Sequence, residues 1–173
     1  MKAGFHQDYP ATPERLWEVF GQPDYPHRKY RAQGITAYDV RRFEVSPEHI
    51  SLDLERTLSV PLNRIPHFAQ RFVHPEQTLH YVSHWHRNAA GLADFDLDII
   101  ANGLPVKIRG KGELRQTADN SSRLSIEFDV QVHVPLLGGK IEKMLASFIE
   151  KSFRDDHAFT LQYLSEAGQA HAT

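Results

Sequence analysis

Apolar and polar residues alternate through most of the middle of the chain, over residues 35–134, in segments of strand length separated by turn residues. A period of two is typical of β-strands that bury one face. The clearest segment is residues 93–99, where apolar residues alternate with Asp94, Asp96 and Asp98. The pattern predicts an antiparallel meander.

The dipeptide Asn102-Gly103 is the strongest hairpin signal in the chain, and it predicts a two-residue turn. Counting outward from that turn places three aspartates opposite three basic residues. The predicted pairs are Asp98 with Lys107, Asp96 with Arg109 and Asp94 with Lys111. On the other face the same register places Phe95 opposite Gly110.

The preceding segment, residues 79–87, also alternates, with Tyr81 and Trp85 on one face. A loop over residues 88–91, closed by the glycine, is predicted to join it to the next strand. That register places Trp85 opposite Ala93. The two aromatic residues are therefore expected to face the interior.

Three histidines, His80, His84 and His86, share the opposite face of this strand. Histidines two residues apart can both reach one metal ion, but a closed site needs further ligands. The aspartates nearby, such as Asp94 opposite His84, are already matched to basic residues. We therefore expect an outer polar ladder and no metal or other cofactor.

Charged residues interrupt the inward pattern of the first hairpin. A turn over residues 46–49 places Phe43 opposite Leu52, and the same register places Asp39 opposite Arg56 on the inner face. Ionised groups on an apolar face are costly unless they are paired or hydrated. Asp39, Arg41 and Arg56 are therefore candidates for holding a carboxylate or phosphate head group. The alternative is a rim position, with Asp39 and Arg56 bonded to each other.

Helices are predicted at both ends of the chain. After a first strand over residues 5–9, Thr12 can cap a short helix that Gly21 ends, and residues 24–34 hold a second short helix. A long helix is predicted from Ile141 to about residue 164, because its apolar residues recur every three or four positions. We expect one domain over residues 1–165 and a flexible tail over residues 166–173.

The composition excludes several classes of function. A net charge of -2 gives no electrostatic reason to bind nucleic acid, and the absence of cysteine excludes disulfides, thiol nucleophiles and thiolate metal sites. No segment approaches the roughly 20 apolar residues of a membrane span, and the first residues lack an apolar signal core. We expect a cytoplasmic protein without integral membrane association. The sequence does not indicate an oligomeric state.

The predicted elements follow the order strand, two short helices, six strands and a long helix. The corner before the last helix reads Val134-Pro135-Leu136-Leu137-Gly138-Gly139-Lys140-Ile141-Glu142. This order and this corner resemble the START and birch-pollen-allergen superfamily. The corner and residues 61–72 are similar to a bacterial branch of unknown function. The resemblance covers nearly the whole chain. It implies an α+β helix-grip fold, with a curved seven-stranded antiparallel sheet, two short N-terminal helices and one long C-terminal helix.

The resemblance also implies an apolar cavity between sheet and helix, and hence a hydrophobic small molecule, lipid-like or polycyclic, as the partner. We expect the cavity walls to come from seven residues. They are Tyr81, Trp85, Phe95, Ile108, Phe128, Met144 and Phe148. The plant members carry a glycine-rich loop where this chain has Ser46-Pro47-Glu48, so no loop function carries over.

Two other classes of function stay open at this point. One is a cyclase- or hydrolase-like enzyme acting on an aromatic or polyketide-like substrate, with Asp39 as base and Tyr81 or an arginine polarising a carbonyl. The other is a co-chaperone-like interaction module with a filled core and an exposed apolar patch on residues 61–72.

Overall fold

A computed structural model describes residues 1–88 and 92–170 and shows seven strands in one antiparallel sheet. In chain order the elements are β1 (Lys2–Tyr9), α1 (Pro13–Phe20), α2 (Tyr25–Ala32), β2 (Tyr38–Val45), β3 (His49–Ser59), a 3₁₀-helix (Leu62–Arg64), α3 (His67–Gln70), β4 (Glu76–Arg87), β5 (Ala93–Ala101), β6 (Val106–Ala118), β7 (Ser121–Val132) and α4 (Gly138–Ala170). The strand order is β1-β7-β6-β5-β4-β3-β2, so β1 and β2 are the edges. The predicted helix-grip fold is confirmed.

The short helix α1 forms for local reasons. The Thr12 side chain accepts a hydrogen bond from the backbone N–H of Arg15 at 3.2 Å, and Pro13 occupies the first turn, where its missing N–H costs nothing. Leu16 and Val19 are buried on the inward side. The helix therefore closes one end of the sheet with a small apolar face.

Helix α4 is longer than the sequence pattern predicts. It begins at Gly138, whose N–H bonds the carbonyl of Val134 at 2.9 Å, and it ends at Ala170. It therefore enters the predicted tail, whose residues 171–173 lie outside the described residues, and the division into domain and tail stays a prediction. Among the described residues, no helix has the length and apolar content needed to cross a bilayer.

The prediction that Phe148 faces the sheet is wrong. Leu145, Ile149 and Phe153 form the inward stripe of α4, while Phe148 is 49% exposed. Each helical residue advances by about 100° around the axis, so Phe148 points well away from its neighbour Ile149.

The register between β5 and β6 differs from the prediction by two residues. Asp98 lies opposite Arg109, and Phe95 lies opposite Gly112 instead of Gly110. The connection is longer than two residues because Pro105 has no N–H to donate to a ladder, while Leu104 N–H bonds the Ala101 carbonyl at 3.2 Å. An even shift keeps every side chain on its predicted face.

A shift of two residues also occurs between β4 and β5. Trp85 lies opposite Phe95, not Ala93, and His84 lies opposite Asp96, not Asp94. Most of the predicted loop, residues 89–91, lies outside the described residues. The shift places two large aromatic rings side by side on the inner face.

A one-residue irregularity in β2 reverses the faces of two predicted site residues. Phe43 lies opposite Leu52 as predicted, but the ladder shifts at Arg41, so that Asp39 lies opposite Glu55 and not Arg56. An extra residue in one strand moves all side chains beyond it to the other face. Asp39 and Arg41 are consequently exposed on the outer face, where Arg41 pairs with Glu55.

The inner face of β5–β7 is densely packed, and Gly112 is part of the reason. A Cβ atom at this position would lie 2.2 Å from the Ser125 carbonyl oxygen and 2.4 Å from Cε1 of Phe95. The missing side chain of Gly112 is thus filled by the Phe95 ring and does not leave a cavity floor. Close packing of this kind tolerates little added volume.

We expect Gly112→Ala to lower the free energy of unfolding by about 1–3 kcal/mol, because the added methyl group must displace backbone as well as Phe95. Urea denaturation measures the change. Gly4→Ala is the matched control, since its Cβ would meet its nearest atom, the Ile126 carbonyl oxygen, at 3.9 Å and should change stability by less than about 0.5 kcal/mol. Equal stabilities of the two variants would contradict the packing argument.

Candidate functional site

The inner face of the sheet is covered unevenly. Helix α4 packs mainly against β7, β1 and α2. Inward residues beneath it, such as Leu97 and Val130, are buried, whereas the inward faces of β3 and β4 combine buried residues, such as Leu54, with half-buried ones, such as Leu79 and Tyr81. The region between the inward faces of β3 and β4 and helix α2, here called the inner cleft, is therefore partly accessible to solvent.

Aromatic rings form one wall of the inner cleft. The Trp85 ring stacks on Phe95 with centroids 4.3 Å apart and planes 18° apart, and the Phe20 ring lies 5.4 Å from Trp85. Tyr25 extends the row, 5.5 Å from Phe20. Stacked and tilted rings present broad apolar faces with little conformational freedom. This wall is suited to contact with a flat or apolar molecule.

An ion pair connects α2 to α4 beside the inner cleft. Nζ of Lys29 lies 3.0 Å from Oδ2 of Asp156, and the side-chain amide of Gln33 donates to Oδ1 of the same carboxylate at 2.6 Å. The Lys29 side chain is only 12% exposed. Both oxygens of Asp156 are therefore engaged, and the carboxylate has little capacity left for another cation.

Arg56 is the inward cation without such a partner. Its Nε is buried and has no hydrogen-bond partner among the residues that the structure describes, and its guanidinium carbon lies 5.7 Å from the Tyr30 ring centroid. The other buried side-chain atom of this kind in the described chain is Oε1 of Gln77. Buried polar groups are nearly always paired, so an unpaired donor on an inner face is an indication of a missing partner.

Two tyrosine hydroxyls lie in the same region. Within residues 1–88 and 92–170, neither the Tyr30 nor the Tyr81 hydroxyl has a hydrogen-bond partner, although the Tyr30 residue is only 2% exposed. Together with Arg56 they form a group of donors without a partner in the described chain, here called the polar cluster, in which Nε of Arg56 is the atom shielded from solvent. Each of its three members can donate a hydrogen bond.

Burial determines the protonation states around the polar cluster. Burial raises the pKa of Tyr25 to about 12 and raises that of Tyr81 still further, so both phenols are neutral at neutral pH. Burial by itself would lower the pKa of Lys29, but the charge of Asp156 and the nearby tyrosines raise it well above its usual value. The region therefore contains two cations, Lys29 and Arg56, and one carboxylate.

The structure brings together only some of the predicted site residues. Arg56, Tyr81 and Trp85 line the inner cleft, and Phe95 supports Trp85 from the core. Ile108 and Phe128 are buried in the main core beneath α4, and Met144 packs in a separate cluster around Ile65 and Ile141. The latter three residues are ordinary core side chains in this structure.

Asp39 and Arg41 lie elsewhere. They border an open depression of about 570 Å³ on the edge strand β2, together with His27 and Thr36. Both residues are on the outer face of the hairpin and exposed, so neither enters the inner cleft. The predicted role of Asp39 as a base in a closed pocket is therefore wrong.

Sequence reasoning missed Lys29, Tyr30 and Asp156. Asp156 and Thr160 continue the three- and four-residue spacing of the apolar stripe of α4, and a polar residue at an inward position is a signal that could have been used. Lys29 had no such signal, because its partner lies 127 residues away in the chain.

Comparison with known families identifies the chain. The model of the family described as "Protein of unknown function (DUF2505)" matches residues 5–164, and the protein belongs to this family. No curated protein matches the chain. The family assignment agrees with the resemblance seen in the sequence and brings no activity with it.

Solved structures share the fold at low sequence identity. A START superfamily protein from Mycobacterium smegmatis is 13% identical with a TM-score of 0.54, over 94% of this chain and 98% of that one. The Zhui aromatase/cyclase from Streptomyces sp. R1128 is 11% identical with a TM-score of 0.58, over 94% and 92%. Norcoclaurine synthase from Thalictrum flavum is 13% identical with a TM-score of 0.52, over 94% and 86%. The resemblance to this superfamily is confirmed for the fold.

We expect Lys29→Met to lower the free energy of unfolding by about 1.5–3 kcal/mol, because the Asp156 carboxylate loses its charged hydrogen-bond donor. Adding Asp156→Asn should restore part of the loss. The control is Lys151→Met, which removes an exposed pair with Asp155 and should cost less than about 1 kcal/mol in urea denaturation. Equal losses for the two lysine variants would show that burial does not increase the contribution of the Lys29–Asp156 pair to the free energy of unfolding.

Alkaline pH should destabilise the fold. A group whose pKa is raised on folding contributes stability that is complete below its unfolded pKa and is lost as pH rises through its folded pKa. Tyr25, Tyr81 and Lys29 all have raised values, so the free energy of unfolding should fall from about pH 10 upward. Urea denaturation between pH 8 and pH 12 tests this, with Tyr25→Phe expected to reduce the slope. A constant stability across this range would contradict the assignment of these groups to a dry interior.

Proposed function

We propose that this protein reversibly binds an apolar small molecule that carries an acidic group. The apolar body lies in the inner cleft against Trp85, and the acidic group meets Arg56. Members of the same fold that are named as START superfamily proteins or cyclases support a role for the sheet-and-helix interior, but the chemistry proposed for this chain rests on its own residues.

The observation that carries the proposal is the unpaired Nε of Arg56. Arg56 occupies an inward strand position between Tyr38 of β2 and Leu79 of β4, and its guanidinium has one nitrogen, Nε, buried without a partner and no carboxylate beside it. Such an arrangement is costly unless another molecule supplies the anion. A carboxylate or phosphate at Arg56 would satisfy this donor, and the two nearby hydroxyls of Tyr30 and Tyr81 would complete its hydrogen bonds.

The charge count supports an anion over a neutral polar group. Asp156 is engaged by Lys29 and Gln33, so it does not neutralise Arg56. The hydroxyl groups of Tyr30 and Tyr81 can donate hydrogen bonds to an anion. An acidic ligand would therefore leave the region balanced, with two cations against two anions.

The apolar part of the ligand has a matching surface. Trp85 and Tyr81 lie on one strand, four residues apart, and both face inward with Ser83 between them. The aromatic wall and the polar cluster are therefore neighbours. A molecule that spans both needs an apolar portion next to its acidic group. Pockets of this kind commonly combine apolar walls with a few polar groups that orient the ligand.

Two fluorescent molecules with the same aromatic body test the proposal. Anilinonaphthalene sulfonate carries an anionic group, and phenylnaphthylamine lacks it. We expect Arg56→Met to weaken the sulfonate by about 10- to 100-fold, because a charged hydrogen bond is lost, and to leave the affinity for phenylnaphthylamine unchanged. Fluorescence titration measures both affinities.

Arg41→Met is the matched control, since Arg41 is exposed and pairs with Glu55 on the outer face. It should change neither affinity. Thermal unfolding of each variant separates loss of binding from loss of folding, and Arg56→Met should be as stable as the parent because Arg56 has no ion pair in the described chain to lose and its buried Nε has no partner. If Arg56→Met weakens both molecules equally, or neither, the head-group role of Arg56 is wrong.

A further inference from the structure

One end of the molecule is built from two connections that pack together. These are the β3–β4 connection, residues 60–75, and the β7–α4 connection, residues 133–140. Ile65 and Ala69 of the first are buried against Ile141 at the start of α4. This end, here called the basic corner, therefore has a fixed shape and a small core of its own.

Leu136 is the most unusual residue of the basic corner. It is fully exposed, at 101%, and it adopts a left-handed backbone conformation with φ of 63°. Leucine is disfavoured in this conformation because its Cβ crowds the following carbonyl group. An exposed leucine in a strained backbone conformation adds no buried apolar surface to the fold. This indicates a role other than stabilising the fold.

The charge of the basic corner is one-sided. Residues 60–75 and 133–140 contain no aspartate or glutamate, in a chain whose net charge is -2. Arg64, Arg71 and Lys140 belong to these connections and are exposed, and Lys143 follows on the next turn of α4.

These four cations are available for an external partner. In the described part of the chain, none of them lies within 4.0 Å of a carboxylate, although sixteen other ion pairs are present there. Arg71 and Lys140 instead lie over the rings of Phe72 and Phe68, at 4.7 Å and 5.7 Å. Their charges are thus held at the surface of an apolar cluster.

We propose that the basic corner docks on an anionic lipid surface, with Leu136 entering the interface and the four cations contacting the head groups. An exposed apolar residue in a corner whose connections carry cations and no carboxylate matches a membrane interface, where burial of apolar side chains and attraction to anionic lipid add together. The corner lies at the same end of the sheet as Tyr38 and Arg56, because β3 ends and β2 begins there.

Sedimentation with vesicles tests the proposal. The full chain should bind vesicles of phosphatidylcholine with about 30 mol % phosphatidylserine, should bind vesicles of phosphatidylcholine alone much more weakly, and should be released by salt. The double variant Lys140→Gln/Lys143→Gln should bind about 25-fold more weakly, since each cation near the surface is worth about fivefold. Its control is Lys111→Gln/Arg115→Gln, the same charge change on the outer face of β6, which should bind like the parent.

Leu136→Gly separates docking from folding. Glycine adopts positive φ without strain, so this variant should unfold at the same or a higher temperature while its vesicle affinity falls about tenfold. Failure of the parent to bind either vesicle would overturn the proposal. Equal binding to both vesicles, or unchanged binding of both the Leu136 and the Lys140/Lys143 variants, would overturn it as well.

Discussion

A single α-helix is about 10 Å wide, whereas seven strands about 4.8 Å apart make a sheet about 30 Å wide. Helix α4 covers only part of the inner face, because its main contacts with the sheet are on β7 and β1. It packs over β7 and β1 and against α2, and the dense core lies beneath it, around residues such as Phe128 and Val130. The inward faces of β3 and β4 are left to the short N-terminal helices. The inner cleft follows from this difference in width.

The two halves of the inner face are consequently different in chemistry. Beneath α4 the side chains are apolar, and Gly112 accommodates the Phe95 ring so closely that no space remains. Beside α2 the interior contains Lys29, Asp156 and the polar cluster. Electrostatic interactions are stronger where water is scarce, so the proposed selection of an acidic ligand depends on the unpaired Nε of Arg56 in this half.

The histidines of the outer face form a regular pattern in the sequence but make ordinary side-chain contacts in the structure. His80 bonds Asp53 at 2.8 Å, and His86 lies against His49, with their Nδ1 atoms 3.2 Å apart. No group of three or more metal-binding side chains occurs in the described ranges of the chain. The outer face thus carries a polar ladder that keeps one side of the sheet hydrated, while the proposed function rests on residues of the inner face.

Alternation and turn residues predict the antiparallel strands, the faces of β4–β7 and the inward positions of Arg56, Tyr81 and Trp85, because these signals act locally and survive a register shift of two; the helix-grip fold came from the family resemblance. Which strand residues stand opposite each other depends on the folded chain, since Pro105 and the irregularity at Arg41 change pairing in ways that residue spacing does not show. Residue spacing likewise does not show the pairing of Lys29 with Asp156, the exposure of Phe148 or the lack of a partner at Nε of Arg56. These depend on the placement of α2 and α4 against the sheet, through contacts between residues more than a hundred positions apart in the chain.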